Sequence, residues 1–345
     1  MTPQAGTPSD PLDVSRLAQH LQANGVTDAA ELGATLISGG KSNLTYRVTD
    51  GLQRWILRRP PLGNVLPGTH DVVREFTVID GLSGSSVPVP EARLLCRDPE
   101  VIGVPFYLMD ELDGRVLRTP DDARQLLPAE LEAVGDDLVD VLADLHDLVP
   151  ADVGLSGLGR PTGYLGRQLA RWTRQLAAVS SRELPYVHDL IELLGTNMPD
   201  SPTASIVHGD YRLDNVMLAP DSPKVIGVLD WEMATLGDPL ADLAMLAVFW
   251  DQPDEADNPI TAGLMAVDGF RSRGAAIERY ASRRAVDLGD FGWYTAFSGL
   301  KLAVILEQIY ARQLSGHTRG DTFVGVDDMV VNLVATAYDT ARSRS

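Results

Sequence analysis

Cysteine is almost missing from this chain of 345 residues, where Cys96 stands alone. No intrachain disulfide can form, and without a Cys/His cluster the chain lacks the ligand set of a structural zinc site. Positive charge is scarce as well: 29 Lys and Arg face 48 Asp and Glu, for a formal net charge of −19. Nucleic acid and anionic membrane are bound mainly through Lys and Arg, so neither is expected as a main partner. No apolar run approaches the roughly 20 residues of a membrane span. The most apolar stretches, around Ala244 to Trp250 and Leu300 to Leu306, are far shorter. The opening ten residues have neither a basic start nor an apolar core, so they do not read as a signal peptide, and the cytoplasm is the expected compartment. Internal repeats and low-complexity arrays are lacking too.

What the chain has is an ordinary globular composition, 44% hydrophobic and 22% charged. Its length exceeds one small core and suits two lobes. The acidic excess is compatible with a cationic ligand, but it serves solubility equally well.

The most informative stretch is Ile206-Val207-His208-Gly209-Asp210-Tyr211-Arg212-Leu213-Asp214-Asn215. An apolar run brings the backbone up from a core, and a polar turn follows. His208 precedes Asp210 by two, Asn215 follows it by five, and Asp230 lies fifteen further on. Phosphoryl transfer needs little covalent help from protein: a carboxylate holds the acceptor hydroxyl in line, and oxygen ligands hold metal against the phosphates. Asp210 suits the first role. Asn215 and Asp230 suit the second, because Mg²⁺ takes hard oxygen donors and usually only one or two from protein. The spacing matches the kinase catalytic-loop pattern. The bland alternative is an Asx-capped turn with two solvated acids.

His208 to Asn215, followed by Gly227-Val228-Leu229-Asp230-Trp231-Glu232, resembles the aminoglycoside phosphotransferase and choline kinase superfamily. Within it, the chain is most similar to bacterial phosphotransferases like the kinase-like domain fused to some acyl-CoA dehydrogenases. The resemblance implies an α+β, bilobal, protein-kinase-like fold. A small antiparallel-β lobe would span residues 1–112 and a larger helical lobe residues 113–345, with ATP and Mg²⁺ as cofactors. It implies that the hairpin carrying Gly39, Gly40, Ser42 and Asn43 lies over the nucleotide phosphates. Arg58 stands where the family pattern has a phosphate-binding lysine, with Arg59 as a rival, and Glu75 resembles its helix partner. Backbone groups from Asp110 to Leu112 would meet adenine, and Asp242 would accept hydrogen bonds from the catalytic-loop backbone. Two departures stand out: Arg58 replaces lysine, and Glu232 stands where kinases have glycine. Gly40-Lys41-Ser42 does not complete a P-loop, since Thr35 occupies the position that motif reserves for glycine.

Periodicity places the remaining elements. A helix is expected from about Asp13 to Asn24. Strands are expected over Leu32–Ser38, Leu44–Thr49, Leu52–Arg58, Val87–Cys96 and Val104–Glu111, with a hairpin at Asp50-Gly51 and a turn at Asp98-Pro99-Glu100. Further helices are expected over about His70–Leu82, Pro128–Leu148, Tyr164–Val179, Tyr186–Leu194, Gly274–Val286, Phe291–Leu314 and Val324–Ala341, and one opens at Pro239. Short strands are expected at Ser205–Val207, Asn215–Leu218 and Lys224–Leu229. His146, at a helix end, either faces the active site or is satisfied by local carbonyls, and the second is the expectation. Lys301 lies in an apolar helix, where it snorkels, pairs or meets an anionic substrate. The acidic loop Asp251 to Pro259 reads as a solvated connection or a lid.

The expected function is ATP- and Mg²⁺-dependent transfer of a phosphoryl group to the hydroxyl of a small molecule, with an aminoglycoside-like or hydroxyacyl-type acceptor. A catalytically inactive nucleotide-binding scaffold is the alternative. Metal-dependent hydrolysis through His208 and Asp210 lacks the further ligands such sites need. ATP versus GTP is open, and a homodimer is among the open assembly states.

Overall fold

The period-two pattern that begins near Glu31 forms one sheet, and the helical pattern after Gly114 forms a separate unit. The computed structural model describes residues 12–39, 43–62, 71–179, 182–201, 204–253, 260–315 and 325–343. It divides into Met1–Asp113 with Gly227–Glu232, and Gly114–Ile226 with Met233–Ser345. The class is α+β.

The first unit contains α1 (Val14–Ala23), β1 (Gly33–Gly39), β2 (Leu44–Thr49), β3 (Arg54–Arg59), α2 (Val72–Leu82), β4 (Ala92–Cys96), α3 (Pro99–Ile102) and β5 (Phe106–Asp110). The strands form an antiparallel sheet in the order β1-β2-β3-β5-β4. At the Asp50-Gly51 hairpin, Asp50 Oδ1 accepts the amides of Leu52 and Gln53 at 2.9 and 2.7 Å. Strand alternation then sorts the side chains. Trp55 and Leu57 join Leu17, Leu21, Tyr46, Val48, Phe106 and Leu108 in a core under α1. Arg58, the residue after Leu57, falls on the opposite face. β5 is buried along Phe106, Tyr107, Leu108 and Met109, as a central strand covered on both sides must be. The turn expected at Asp98 is instead the start of α3: Asp98 Oδ1 caps the Glu100 amide at 2.9 Å, and Pro99 needs no hydrogen bond in the first turn. Gly227–Glu232 is tied in by the Val228 amide, which donates to Pro88 O at 2.7 Å. The fully buried Trp231 indole donates to Val228 O at 2.9 Å.

The second unit contains α4 (Pro120–Ala123), α5 (Pro128–Asp147), α6 (Tyr164–Val179), α7 (Val187–Thr196), β6 (Ser205–Val207), β7 (Val216–Leu218), β8 (Val225–Val228, which ends in the first unit), β9 (Thr235–Gly237), α8 (Pro239–Phe249), α9 (Arg273–Arg284), α10 (Phe291–Leu314) and α11 (Val326–Arg342). α5 buries the stripe Leu131, Val134, Leu138, Val141, Leu142 and Leu145. Its solvent side carries acids about four apart, which share a face. Asp136, Asp140, Asp144 and Asp147 pair there with Arg271, Arg279, Arg283 and Arg284. α10 is apolar almost all round and packs against α6, α8 and α11. At Gly299 a Cβ would stand only 3.1 Å from the Ala337 Cβ, so glycine is what lets α11 approach this closely.

β9 was not expected. It is three residues long, too short to show a period, yet it pairs antiparallel with β6, Val207 opposite Thr235. The strand expected from Asn215 starts at Val216, after a 3₁₀ turn over Leu213–Asn215. Among the described residues, no helix is long and apolar enough to cross a membrane.

Candidate active site

β6 delivers His208, Gly209 and Asp210 from the core of the second unit. Gly209 has φ +84°, and a Cβ there would meet Met233 O at 2.8 Å, so the position requires glycine. Asp242 on α8 takes the His208 amide on Oδ2 at 2.5 Å and the Gly209 amide on Oδ1 at 2.9 Å. Lys301 on α10 donates from Nζ to Gly209 O at 2.6 Å. Both ends of the residue preceding Asp210 are therefore held by side chains from distant helices. The role that the resemblance implied for Asp242 is the one its hydrogen bonds describe.

His146 departs from expectation. Instead of resting on local carbonyls, its buried ring sets Nε2 at 3.4 Å from Asp242 Oδ2 and Nδ1 at 2.5 Å from the Tyr280 hydroxyl. Arg284 donates to the same hydroxyl at 2.9 Å. Burial pushes the imidazole below its ordinary range despite Asp242, so it is neutral and donates Nε2–H to the carboxylate. Burial alone would raise Asp242. Its hydrogen bond from His146, the nearby His208 and the Gly209 amide outweigh burial and hold it below the usual carboxylate range.

Asp210 is half-buried, and its amide donates to His208 Nδ1 at 3.2 Å. Its Oδ2 accepts from Asn215 Nδ2 at 3.1 Å and lies 3.5 Å from Arg212 Nε. Asn215 Nδ2 also donates to Asp210 O at 2.9 Å. The amide nitrogen is thus committed, and Asn215 Oδ1 accepts no hydrogen bond among the described residues. Arg212 also reaches Asp214 at 3.2 Å and lies 5.3 Å from the Phe249 ring centroid. Burial raises the Asp214 carboxyl, with Arg212 opposing. The sequence pattern assigns Arg212 no role, although it stands two residues after Asp210 in the same turn.

In the first unit, Arg58 pairs with the fully buried Glu75, and its Nη2 lies 3.3 Å from Asp230. Arg59 turns to the other face, where Nη2 meets the Tyr46 hydroxyl at 3.2 Å and Nη1 meets Pro60 O at 3.4 Å. Alternation along β3 makes this choice between the two arginines. Burial pushes the Glu75 carboxyl up to about 7, with Arg58 opposing. Burial likewise disfavours the charged Arg58, but Glu75, Tyr107, Asp230 and Glu232 more than offset it and hold the guanidinium protonated. Asp230 sits at φ +64°, a left-handed conformation that a side chain adopts at a cost of about 1–3 kcal/mol.

The other nucleotide-site candidates all belong to the first unit. Gly39 closes β1 opposite Leu44. Gly40 and Ser42 lie outside the described residues. Asn43 is buried, with neither amide atom partnered among the described residues. Asp110 grips Arg93 through two 2.7 Å hydrogen bonds, and its amide donates to Glu91 O at 2.9 Å. The Glu111 amide donates to Arg54 O at 3.2 Å, which leaves Leu112 as the one amide of this segment without a partner among the described residues. Those residues contain no group of three His, Cys, Asp or Glu able to hold a metal. An ion held by one or two protein oxygens and by phosphate does not require such a group.

This combination of an antiparallel sheet, a helical unit and a His-Gly-Asp loop closed by asparagine has clear relatives. The model of the phosphotransferase enzyme family that includes the aminoglycoside phosphotransferases matches residues 33–279, and the chain belongs to that family. Human acyl-CoA dehydrogenase family member 11 is 35% identical over 329 residues, which cover 94% of this chain and 42% of that protein. The chain thus spans less than half of that relative's length. The crystal structure of a candidate aminoglycoside phosphotransferase from Ralstonia eutropha JMP134 superposes with a TM-score of 0.84 at 30% identity, over 96% of this chain and 99% of that one. A ternary complex of the aminoglycoside phosphotransferase APH(4)-Ia with AMP-PNP and hygromycin B shares the fold, with a TM-score of 0.63 at 16% identity over 95% of this chain and 98% of that one.

Proposed function

We propose that the chain transfers the γ-phosphoryl group of ATP to a hydroxyl of a small molecule, with Asp210 as the base. The observation that carries this reading is the Asp210 carboxylate, half-open to solvent and fixed by Asn215 and Arg212 on a loop whose backbone Asp242 and Lys301 clamp. Such rigidity suits a group that must align an acceptor oxygen. The acceptor oxygen forms the new bond to the γ-phosphorus, and the bond from that phosphorus to the β,γ-bridging oxygen breaks. ADP leaves, and the hydroxyl proton passes to Asp210.

Asn215, through the oxygen its amide leaves free, and Asp230 are the residues we assign to Mg²⁺. The bound ion would neutralise charge on the phosphates. Arg58, kept charged by Glu75, would contact phosphate; Gly39, Gly40, Ser42 and Asn43 would cover it. The uncommitted Leu112 amide and the Asp110 carbonyl would meet adenine. A small acceptor is favoured over a protein because Gly237 follows Asp230 by only seven positions, too few for an extended activation segment.

The test is ADP release with ATP, Mg²⁺ and a panel of hydroxylated metabolites. Asp210→Asn is expected to lower kcat by about 10²–10⁴-fold while nucleotide binding stays within about twofold. Normal turnover by that variant would remove Asp210 from its role. Nucleotide binding without turnover on any acceptor would favour an inactive scaffold.

A further inference from the structure

Beside the catalytic loop, the second unit holds a pocket lined by Gly209, Tyr164, Arg171, Trp172, Phe297 and Lys301, among others. Its two cations, Lys301 and Arg171, form no ion pair with a carboxylate among the described residues. An ammonium has three donors, yet among the described residues Lys301 makes one hydrogen bond, to Gly209 O at 2.6 Å, with its Nζ 5.7 Å from the Trp172 ring centroid. Arg171 lies over the same ring at 5.3 Å and forms no ion pair among the described residues. The arginines opposite α5 contrast with both, since each has an aspartate.

The nearby acids do not complete the two cations. Asp242 lines the pocket too, but its oxygens already serve His208, Gly209 and His146. Asp210 Oδ2 serves Asn215 and Arg212. Burial lowers the Lys301 ammonium, with Asp210 and Asp242 opposing. Lys301 is half-buried with donors unmet among the described residues, and an added acceptor would satisfy them.

We propose that this pocket seats an anionic group of the acceptor, a carboxylate or a phosphate, against Lys301 and Arg171, with the apolar part of the molecule on Trp172 and Phe297. The proposal rests on the reading of Asp210 as the base. It selects hydroxylated acids and disfavours polycationic aminocyclitols, against what the net charge of −19 would lead one to expect. Local charge overrides the sum because interaction between exposed charges fades beyond about 10 Å.

The experiment uses the full chain with two matched sets: hydroxylated carboxylates against their amides, and sugar phosphates against the parent sugars, with hygromycin B as the polycation. ADP release and calorimetric binding are both read. In one set the anionic members should exceed their neutral partners by about tenfold in kcat/KM, and the set that does so identifies the anion. Arg171→Gln, an exposed change that spares the core, should raise KM for the best acid by about tenfold. It should leave KM for ATP and for the neutral partner within about twofold. Lys301→Met should act in the same direction and more strongly. Preference for neutral or cationic acceptors, or an equal loss for acid and amide in Arg171→Gln, would overturn the proposal. If nothing releases ADP, the phosphotransfer reading fails by itself. Calorimetric binding of acids that weakens in Arg171→Gln would still support the anion site, and absence of acid binding would sink it.

Discussion

Glu75 in the first unit and Asp242 in the second are both buried carboxylates, and their proton affinities move in opposite directions. Glu75 is pushed up to about 7, whereas Asp242 is held below its ordinary range. Burial is the leading influence on both and acts upward on both, so burial does not decide the outcome. Donors do. Asp242 receives two backbone amides and an imidazole N–H, while Glu75 has the guanidinium of Arg58, which it shares with Asp230. A carboxylate that accepts several hydrogen bonds is stabilised in its charged form, whereas one facing a shared cation keeps much of its desolvation cost.

The largest effect should come from breaking the better-served acid. Asp242→Ala leaves the His208 and Gly209 amides and the His146 ring without their acceptor. We expect a loss of about 3–5 kcal/mol in urea unfolding, and turnover lost with it. Asp242→Asn keeps one acceptor oxygen and should fall well short of that loss.

An intermediate effect is expected at the other acid. Under the proposed function, Glu75→Gln releases Arg58 from its main partner and should raise KM for ATP about tenfold, with kcat less affected. The pH dependence sharpens the contrast. A carboxyl whose folded value is raised contributes stability that is fully present below its unfolded value and is lost as pH rises through the folded one. For Glu75 that window runs from its ordinary 4.5 to about 7. Asp242 has the reverse sign, since its contribution is present above its ordinary value and lost as pH falls through its lowered one. Thermal melts at pH 5 and pH 8 should therefore show wild type losing more stability over this rise than Glu75→Gln. Equal losses would mean that Glu75 ionises freely.

The smallest effect belongs to the surface pairs between α5 and α9. Arg279→Ala removes two hydrogen bonds to Asp140 at 2.8 and 2.7 Å and a 3.2 Å ion pair with Asp136, all at the partly exposed edge of the helix pair. It should cost under about 1 kcal/mol and leave turnover unchanged. A larger loss would mean that the ladder, rather than the apolar stripe of α5, holds the two helices together.

Several elements were legible because their signals are local. Leu44–Thr49, Tyr164–Val179, Phe291–Leu314 and Ser205–Val207 run as their periodicity or apolar content indicates. The residues with the clearest chemistry, Asp210, Asn215 and Asp230, stood in one recognisable order. Other features had no local signal. β9 exists because β6 lies beside it, and α3 replaced a turn because Asp98 and Pro99 can open a helix as readily as they bend a chain. His146 looked like a helix-end histidine because nothing near it in the string points to Tyr280 or Asp242.

By itself, the order of residues determined the phosphotransferase family and the α+β class and pointed to the acid and amide proposed for the catalytic loop, since these depend on neighbours along the backbone and on short spacings. Only the tertiary structure decided which of two adjacent arginines faces Glu75, what holds Gly209, and where, among the described residues, two cations form no ion pair with a carboxylate. Those outcomes depend on side chains from helices 33 and 92 positions beyond Gly209 arriving at the same backbone groups, a meeting set by packing and hydrogen-bond geometry and not by any local pattern.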